Sequence, residues 1–491
     1  MNYDVYIENL GAIREANVTI TPLTILAGEN GTGKSFVTKL LYSILNVINT
    51  NIYAKQMTTT ISQITKLLEK TIKNEDLSLN DIELIELNSF KNTFNTLKSI
   101  INEEDFLTLD NVDYSSVIDI IEQSSLFFKK HVIPKVINEE KSSKESSIFS
   151  DTIKENIGLK GDLSNIIFRI EVNTIVSKLE DLVTYLQSPI NTYIELTKEA
   201  LQNEIKENFQ ISELKDIINF GQSRCIFKIK ELIDIRIDID NDIYVKFDQK
   251  YFEKIIQINR LVFFESPVYW RLLTLINDNN RPYKRLLSKE VNDEKLSGVP
   301  KHFLDLKELL FTNFKDGERP SFIVESAKNL REQLKGNFDS SNNDLVFQNL
   351  EGHSISKSLV SFGMTNIGII QAVLSKNIIN KGAFIFIDEP ESNLHPSWQS
   401  ILSEVLINLS TNGVYVIITT HSSDMLKALE FNIDNKVHFE NDNLISTSYF
   451  NGEGTLLELE GNSSIMKIAS ARAELLKPYN ALSIKKSLFD D

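Results

Sequence analysis

Eight consecutive residues, Gly28-Glu29-Asn30-Gly31-Thr32-Gly33-Lys34-Ser35, constrain this chain more than any other feature. They match the pattern G-x-x-x-x-G-K-[ST] at every defined position. They lie between an apolar run, Leu23 to Ala27, and a stretch in which Phe36, Leu40, Leu41, Ile44 and Val47 recur at helical spacing. A strand that turns through glycines into a helix leaves backbone N–H groups pointing inward, and the helix adds the positive end of its dipole. The loop is therefore predicted to cradle the phosphates of ATP. Lys34 would reach the β- and γ-phosphates, and Ser35 would offer a hydroxyl to Mg²⁺.

Two later segments supply the partners such a loop needs. Ala383 to Ile387 is wholly apolar, bounded by Gly382 and by Asp388-Glu389, which predicts a strand of a parallel sheet delivering two carboxylates at its C-terminal end. Asp388 would hold Mg²⁺, and Glu389 would take a proton from the attacking water. Val414 to Ile418 repeats the apolar pattern and runs into Thr419-Thr420-His421-Ser422, which brings His421 to the same sheet edge, within reach of a γ-phosphate.

The rest of the chain reads as an α/β head split by an insertion. Short strands are expected at Asp4 to Glu8 and Ala16 to Ile20. Helical patterns dominate from about 50 to 225, with an exposed Lys/Ser/Glu run from Glu139 to Ser147. Ile233 to Phe247 alternates about Asp240-Asn241-Asp242 as a β-hairpin that places Asp234, Arg236, Asp238 and Asp240 on one face. The glycine and distal glutamate of a calcium loop are missing there, so this face is read as solvated. Residues 259–267 predict a buried strand, Leu345 to Phe347 another, and a helix is expected from about Ser361. Lys436 to Phe439 and Leu444 to Tyr449 are further expected strands, and Ser470 to Leu476 an expected helix.

With 491 residues the chain exceeds a single core, which stops growing near about 250 to 300 residues. Its N-terminus lacks the positive charge and apolar core of a signal peptide, and the single cysteine, Cys225, rules out an internal disulfide; both point to the cytoplasm. No apolar run is long enough for a membrane span. The net charge of −16 opposes nucleic-acid binding by the molecule as a whole while leaving room for a local basic groove, so DNA stays open as a partner.

Together these residues resemble ABC-type ATPases of the RecF, SMC and OLD group, especially the compact AAA-type ATPase subunits of bacterial antiphage systems such as Septu, PARIS and retrons. The resemblance covers roughly residues 1–50 and 345–430. Asp388-Glu-Pro-Glu-Ser-Asn-Leu-His395-Pro396 is similar to that group's joined Walker B and D-loop, with Asn393 in a D-loop position, and His421 matches its switch histidine. Leu359-Val-Ser-Phe-Gly363 resembles the signature, in which Ser361 and Gly363 would bind the γ-phosphate held by another subunit.

The resemblance implies an ABC-type P-loop head with a mixed or parallel β-core at 1–50 and 345–450, a mainly helical insertion at 51–344, and a C-terminal helical tail at 451–491. It also implies nucleotide contacts from Gly28 through Ser35, a homodimer or higher oligomer closing around ATP, and a Q-loop glutamine that several candidates could supply. The OLD nucleases carry a Toprim domain after the switch histidine. Residues 422–491 are too few to bury another domain core and show no DxD pair, so no nuclease is expected here. The expected function is that of an ATP-hydrolysing sensor or scaffold controlling a separately encoded nuclease or toxin, triggered by DNA or a phage-derived molecule. A RecF-like DNA repair ATPase and an ATP-gated binding module with vestigial hydrolysis are the alternatives.

Overall fold

The computed structural model describes residues 2–74, 78–103, 114–135, 163–248, 258–265, 267–272, 298–312, 319–341, 344–434 and 442–489. The chain divides into two compact units, one of Met1–Asn49 with Lys198–Asp491 and one of Thr50–Thr197. In chain order the strands are β1 (Tyr3–Leu10), β2 (Ile13–Ile20), β3 (Leu23–Gly28), β4 (Arg224–Ile229), β5 (Ile233–Asp238), β6 (Ile243–Phe247) and β7 (Leu261–Phe264). They continue with β8 (Gly336–Ser341), β9 (Asp344–Asn349), β10 (Ser354–Ser356), β11 (Phe384–Asp388), β12 (Tyr415–Thr420), β13 (Ile445–Phe450) and β14 (Leu456–Leu457). The longer helices are α1 (Lys34–Ile48), α2 (Ile52–Ile72), α3 (Asp81–Glu103), α4 (Ser115–Phe127), α5 (Leu163–Gln187) and α6 (Pro189–Phe209). After them come α7 (Lys301–Phe311), α8 (Ser321–Leu334), α9 (Phe362–Ser375), α10 (Pro396–Thr411), α11 (Ser423–Asp434) and α12 (Ser464–Phe489).

The first unit is an α/β P-loop ATPase head. Its main sheet runs β14-β13-β3-β12-β11-β7. All neighbours among β13, β3, β12, β11 and β7 are parallel, and only β14 turns back on β13. The sequences explain this. Every residue of β3 is buried, as are Phe384 to Ile387 of β11 and all four residues of β7, so these strands are covered on both faces as parallel strands require. The second sheet, β2-β1-β4-β5-β6, is antiparallel and alternates buried with exposed residues, as a sheet with one wet face should. A small third sheet joins β10, β9 and β8.

Residues 198–344, grouped with the insertion on sequence, lie in the first unit. The reason is register: β4 pairs with β1, Val5 opposite Ile229, and β7 pairs with β11, Phe264 opposite Ile387, so both strands complete sheets begun near the N-terminus. The expected hairpin is β5–β6, and its charged face is tied by Arg236 to Asp238 at 3.1 Å and by the Arg236 guanidinium stacked 4.1 Å over Tyr244. Cys225 is buried in β4. α12 starts at Ser464, earlier than the expected helix, and buries Ile468 and Ala471. The run Glu139 to Ser147 and the strand expected at Lys436 to Phe439 lie outside the described residues.

The second unit is helical. α2 buries Tyr53, Met57, Ile61, Ile64 and Leu68, a stripe at three- and four-residue spacing, and Asn51 caps it by accepting from the Ala54 N–H at 3.0 Å. Ahead of α3, Asn80 and Glu83 satisfy each other's backbone N–H groups reciprocally. The boundary between the units falls inside α6.

Candidate nucleotide site

Five parallel strands end on one edge of the main sheet, and four of them deliver the polar groups. β3 runs into the glycine loop. Gly28, at φ +146°, lies so close to β13 that a Cβ there would stand 2.3 Å from the Phe450 carbonyl oxygen. Gly33, at φ +94°, opens α1, and a Cβ would meet the Ile13 side chain at 2.7 Å. Glu29, Asn30 and Gly31 are exposed on the outside of the loop, while Thr32 and Lys34 are buried within it. The Lys34 ammonium donates to the carbonyls of Gly28 at 2.9 Å and Glu29 at 2.6 Å, and the Thr32 hydroxyl donates to the Glu29 carbonyl at 2.9 Å. Burial lowers the Lys34 pKa, and the charges of Glu389, Asp388, Glu391 and Glu29 oppose but do not cancel that shift.

β11 delivers Asp388, whose Oδ1 accepts from the Ser35 hydroxyl at 2.8 Å and from the Thr419 hydroxyl of β12. Burial raises the Asp388 pKa; those two hydrogen bonds pull the other way. Glu389 has the left-handed φ of +52°, held by its N–H donating to the carbonyl and the hydroxyl of Thr419 at 3.2 and 3.1 Å. A non-glycine residue held at positive φ on a sheet edge is strain of the kind that clusters at working sites. Its carboxylate accepts from the Ser392 hydroxyl at 3.2 Å and lies 3.0 Å from His421 Nδ1, which makes no hydrogen bond among the described residues. Glu389, His421, Asn393 and the loop residue Asn30 share a cleft of about 620 Å³, with Leu475 and Tyr479 of α12 on its wall.

Lys34, Ser35, Asp388, Glu389 and His421, drawn from distant parts of the sequence, therefore converge. Ser361 and Gly363 do so differently. Ser361 caps α9, its hydroxyl accepting from the Met364 N–H at 3.2 Å, and it is not among the residues lining the cleft. Gly363 packs on the segment that follows β11, where a Cβ would stand 2.4 Å from the Asn393 carbonyl oxygen. Asn393 itself has φ +61°. The α9 terminus is pinned by Arg271, whose guanidinium donates to the Val360 carbonyl at 2.6 Å and covers the Phe362 ring at 3.7 Å.

Sequence reasoning missed three groups. Glu391 is buried; it accepts from the Thr420 hydroxyl at 2.7 Å and the His421 N–H at 3.2 Å, fixing the backbone at His421, and burial raises its pKa. Glu265 follows β7 directly, one step past the Phe264–Ile387 pair and so level with Asp388. Lys39 of α1 meets its Oε1 at 2.7 Å. A carboxylate closing an apolar strand was visible in the string Phe263-Phe264-Glu265, but nothing local said which strand would lie beside β11. No glutamine stands at that strand end, where the edge presents Glu265 instead.

The donor set suits a hard cation. Ser35 and Asp388 offer a hydroxyl and a carboxylate oxygen 2.8 Å apart, and Mg²⁺ completes such a pair with phosphate oxygens and water. No cluster of three acidic, histidine or cysteine side chains that would form an all-protein metal cage occurs among the described residues.

A family model for the AAA ATPase domain matches residues 1–426. The chain belongs to that family. The Old nuclease of Escherichia phage P2 is 37% identical over 93 residues, which are 17% of this chain; the chain thus spans only 16% of that nuclease's length. Among solved structures, an Smc head bound to the C-terminal winged-helix domain of ScpA is similar at 10% identity and TM-score 0.34, covering 87% of this chain and 90% of that one. An ATP-binding cassette of an ABC transporter in its ADP conformation is similar at 14% identity and TM-score 0.24, covering 51% and 78%. No described helix is long and apolar enough to cross a membrane.

Proposed function

We propose that this AAA-family ATPase hydrolyses ATP as a conformational switch, pairing with a second copy around the nucleotide and controlling a separately encoded effector in bacterial defence. The observation that carries the catalytic part is the convergence of Lys34, Ser35, Asp388, Glu389 and His421 on one sheet edge. Lys34 exchanges the carbonyls of Gly28 and Glu29 for β- and γ-phosphate oxygens, while the inward N–H groups of Gly31 to Ser35 take the remaining phosphate charge. Ser35 and Asp388 would hold Mg²⁺, which would supply positive charge against the phosphates. Glu389, locked by Thr419, accepts a proton as water attacks the γ-phosphorus and ADP leaves. His421, oriented through Glu391, contacts the γ-phosphate and registers its loss.

The pairing rests on Ser361, which caps α9 and is not among the residues lining the cleft of its own chain, with Gly363 beside it in the first turn; both suit a contact with nucleotide held by a partner. The local likeness to the Old nuclease supports the OLD-type reading of the motifs, and the defence role is proposed on the family resemblance of those motifs alone. β13 and β14, which follow His421, belong to the ATPase sheet, and the separately encoded effector is part of the proposal. The decisive experiment is Glu389→Gln in the full-length protein. ATP turnover should fall about 100-fold or more while ATP still binds and promotes dimers; undiminished turnover, or an ATP-bound variant that stays monomeric, would overturn the reading.

A further inference from the structure

Behind α1, the head contains buried polar groups that the steps above leave unused. His302 of α7 and Asn208 of α6 are 1% and 0% exposed. His302 Nε2 lies 2.8 Å from Glu265 Oε2, and its backbone N–H donates to Asn208 Oδ1 at 2.7 Å. Asn208 Nδ2 in turn donates to the Ser43 hydroxyl of α1 at 2.8 Å and to Glu204 at 3.2 Å. Glu265 and Asp388, level on adjacent strands, line one small cavity.

We propose that Glu265, His302 and Asn208 form a positioning chain that ties the cation edge of the nucleotide site to the C-terminal half of α6. The inference rests on the ATPase reading of that edge. An ionised group buried with its partners is seldom retained for stability, because well-packed apolar residues of the same volume serve as well or better. What such groups give is a fixed geometry. Lys39 and His302 hold both oxygens of Glu265, so its carboxylate has one orientation beside Asp388. A shift of Glu265 when Asp388 takes up Mg²⁺ would be passed to His302 and from there to Asn208, because the Glu265 side chain is only 19% exposed and His302 and Asn208 are fully buried. Asn208 sits one turn past Glu204 on α6, the helix that continues across the boundary between the two units.

Two readouts in the full-length protein test the proposal: the Mg²⁺ concentration giving half of the ATP-dependent thermal shift, and hydrogen exchange of the α6 amides at residues 199–209 with and without Mg·ATP. Glu265→Gln and His302→Leu should each raise the Mg²⁺ requirement about tenfold or more, as loss of an outer partner of a metal site does. His302→Gln, which keeps an N–H for Glu265, should recover most of it. Asn208→Leu should abolish the ATP-dependent change in α6 exchange seen in the wild type. If His302→Leu fails to fold, Glu265→Gln, which removes the charge that needs partners, carries the test. Variants that lower the melting temperature but leave the Mg²⁺ midpoint and α6 exchange as in the wild type would overturn the chain while leaving the ATPase intact. A wild type that shows the Mg·ATP shift without turnover would sink hydrolysis alone, and one with no shift would sink both.

Discussion

Among single residues, Glu265 shows how the neighbourhood of a group decides its chemistry. Burial pushes its carboxyl pKa up, but the hydrogen bond from His302 and the Lys39 charge outweigh burial and hold it at about 2. A carboxylate depressed in the fold contributes stability that is fully present above its unfolded pKa and is lost as pH falls through the folded one. The window is therefore from about 4.5 down to about 2, and the full contribution is about 3 kcal/mol. Denaturant midpoints measured from pH 6 to pH 3 should fall more steeply for the wild type than for Glu265→Gln. Parallel curves would mean that Glu265 is not held in this way. That Lys34, Asp388, Glu389 and His421 would meet at one sheet edge could be read from the sequence because each stands in a contiguous pattern with defined spacing. Glu265 could not, since its partners are 226 to 37 residues away and only the pairing of β7 with β11 makes it a neighbour of Asp388.

At the scale of elements, the head depends on close backbone approaches that only glycine permits. Gly28 ends β3 against β13, with the Phe450 carbonyl where a side chain would begin. Gly28→Ala must push the two strands apart or rotate the loop out of a φ that L-residues avoid. It should cost about 2 kcal/mol or more and weaken ATP binding together with the melting temperature. Scanning calorimetry with and without ATP reads both, and an unchanged melting temperature would contradict the geometry. The strands β3, β11 and β12 were legible because runs such as Phe384 to Ile387 are apolar without alternation, the mark of strands covered on both faces. The extent of the head was not. Residues 198–344 follow a long helical stretch, and their membership is decided by β4 meeting β1 and β7 meeting β11, pairings between distant segments that no local pattern records.

For the whole molecule, the proposed pairing makes a sharp demand on mixtures. Lys34→Ala and Ser361→Arg should each abolish turnover alone, one by emptying the loop of its cation and the other by blocking the contact offered to a partner. Mixed in equal amounts they should recover about a quarter of wild-type turnover, since random pairing makes half the dimers mixed and each of those has one intact site. Recovery absent under conditions where the two variants are shown to associate would mean that each chain completes its own site. The same experiment at rising protein concentration separates a dimer from a monomer, because only the former gains specific activity on concentration.

The neighbours of β3 carry a further consequence, for how the protein is made. That strand is synthesised among the first 28 residues, yet both strands that flank it, β12 and β13, arrive after residue 414. During translation this fully buried strand leaves the ribosome with both edges bare and must wait for more than 380 further residues before either is covered. A bare apolar edge is a template for pairing with other chains. The nucleotide loop is thus among the earliest segments translated and among the last to be finished, and a nascent chain halted before Tyr415 would carry the whole phosphate-binding motif with neither flanking strand to hold it open.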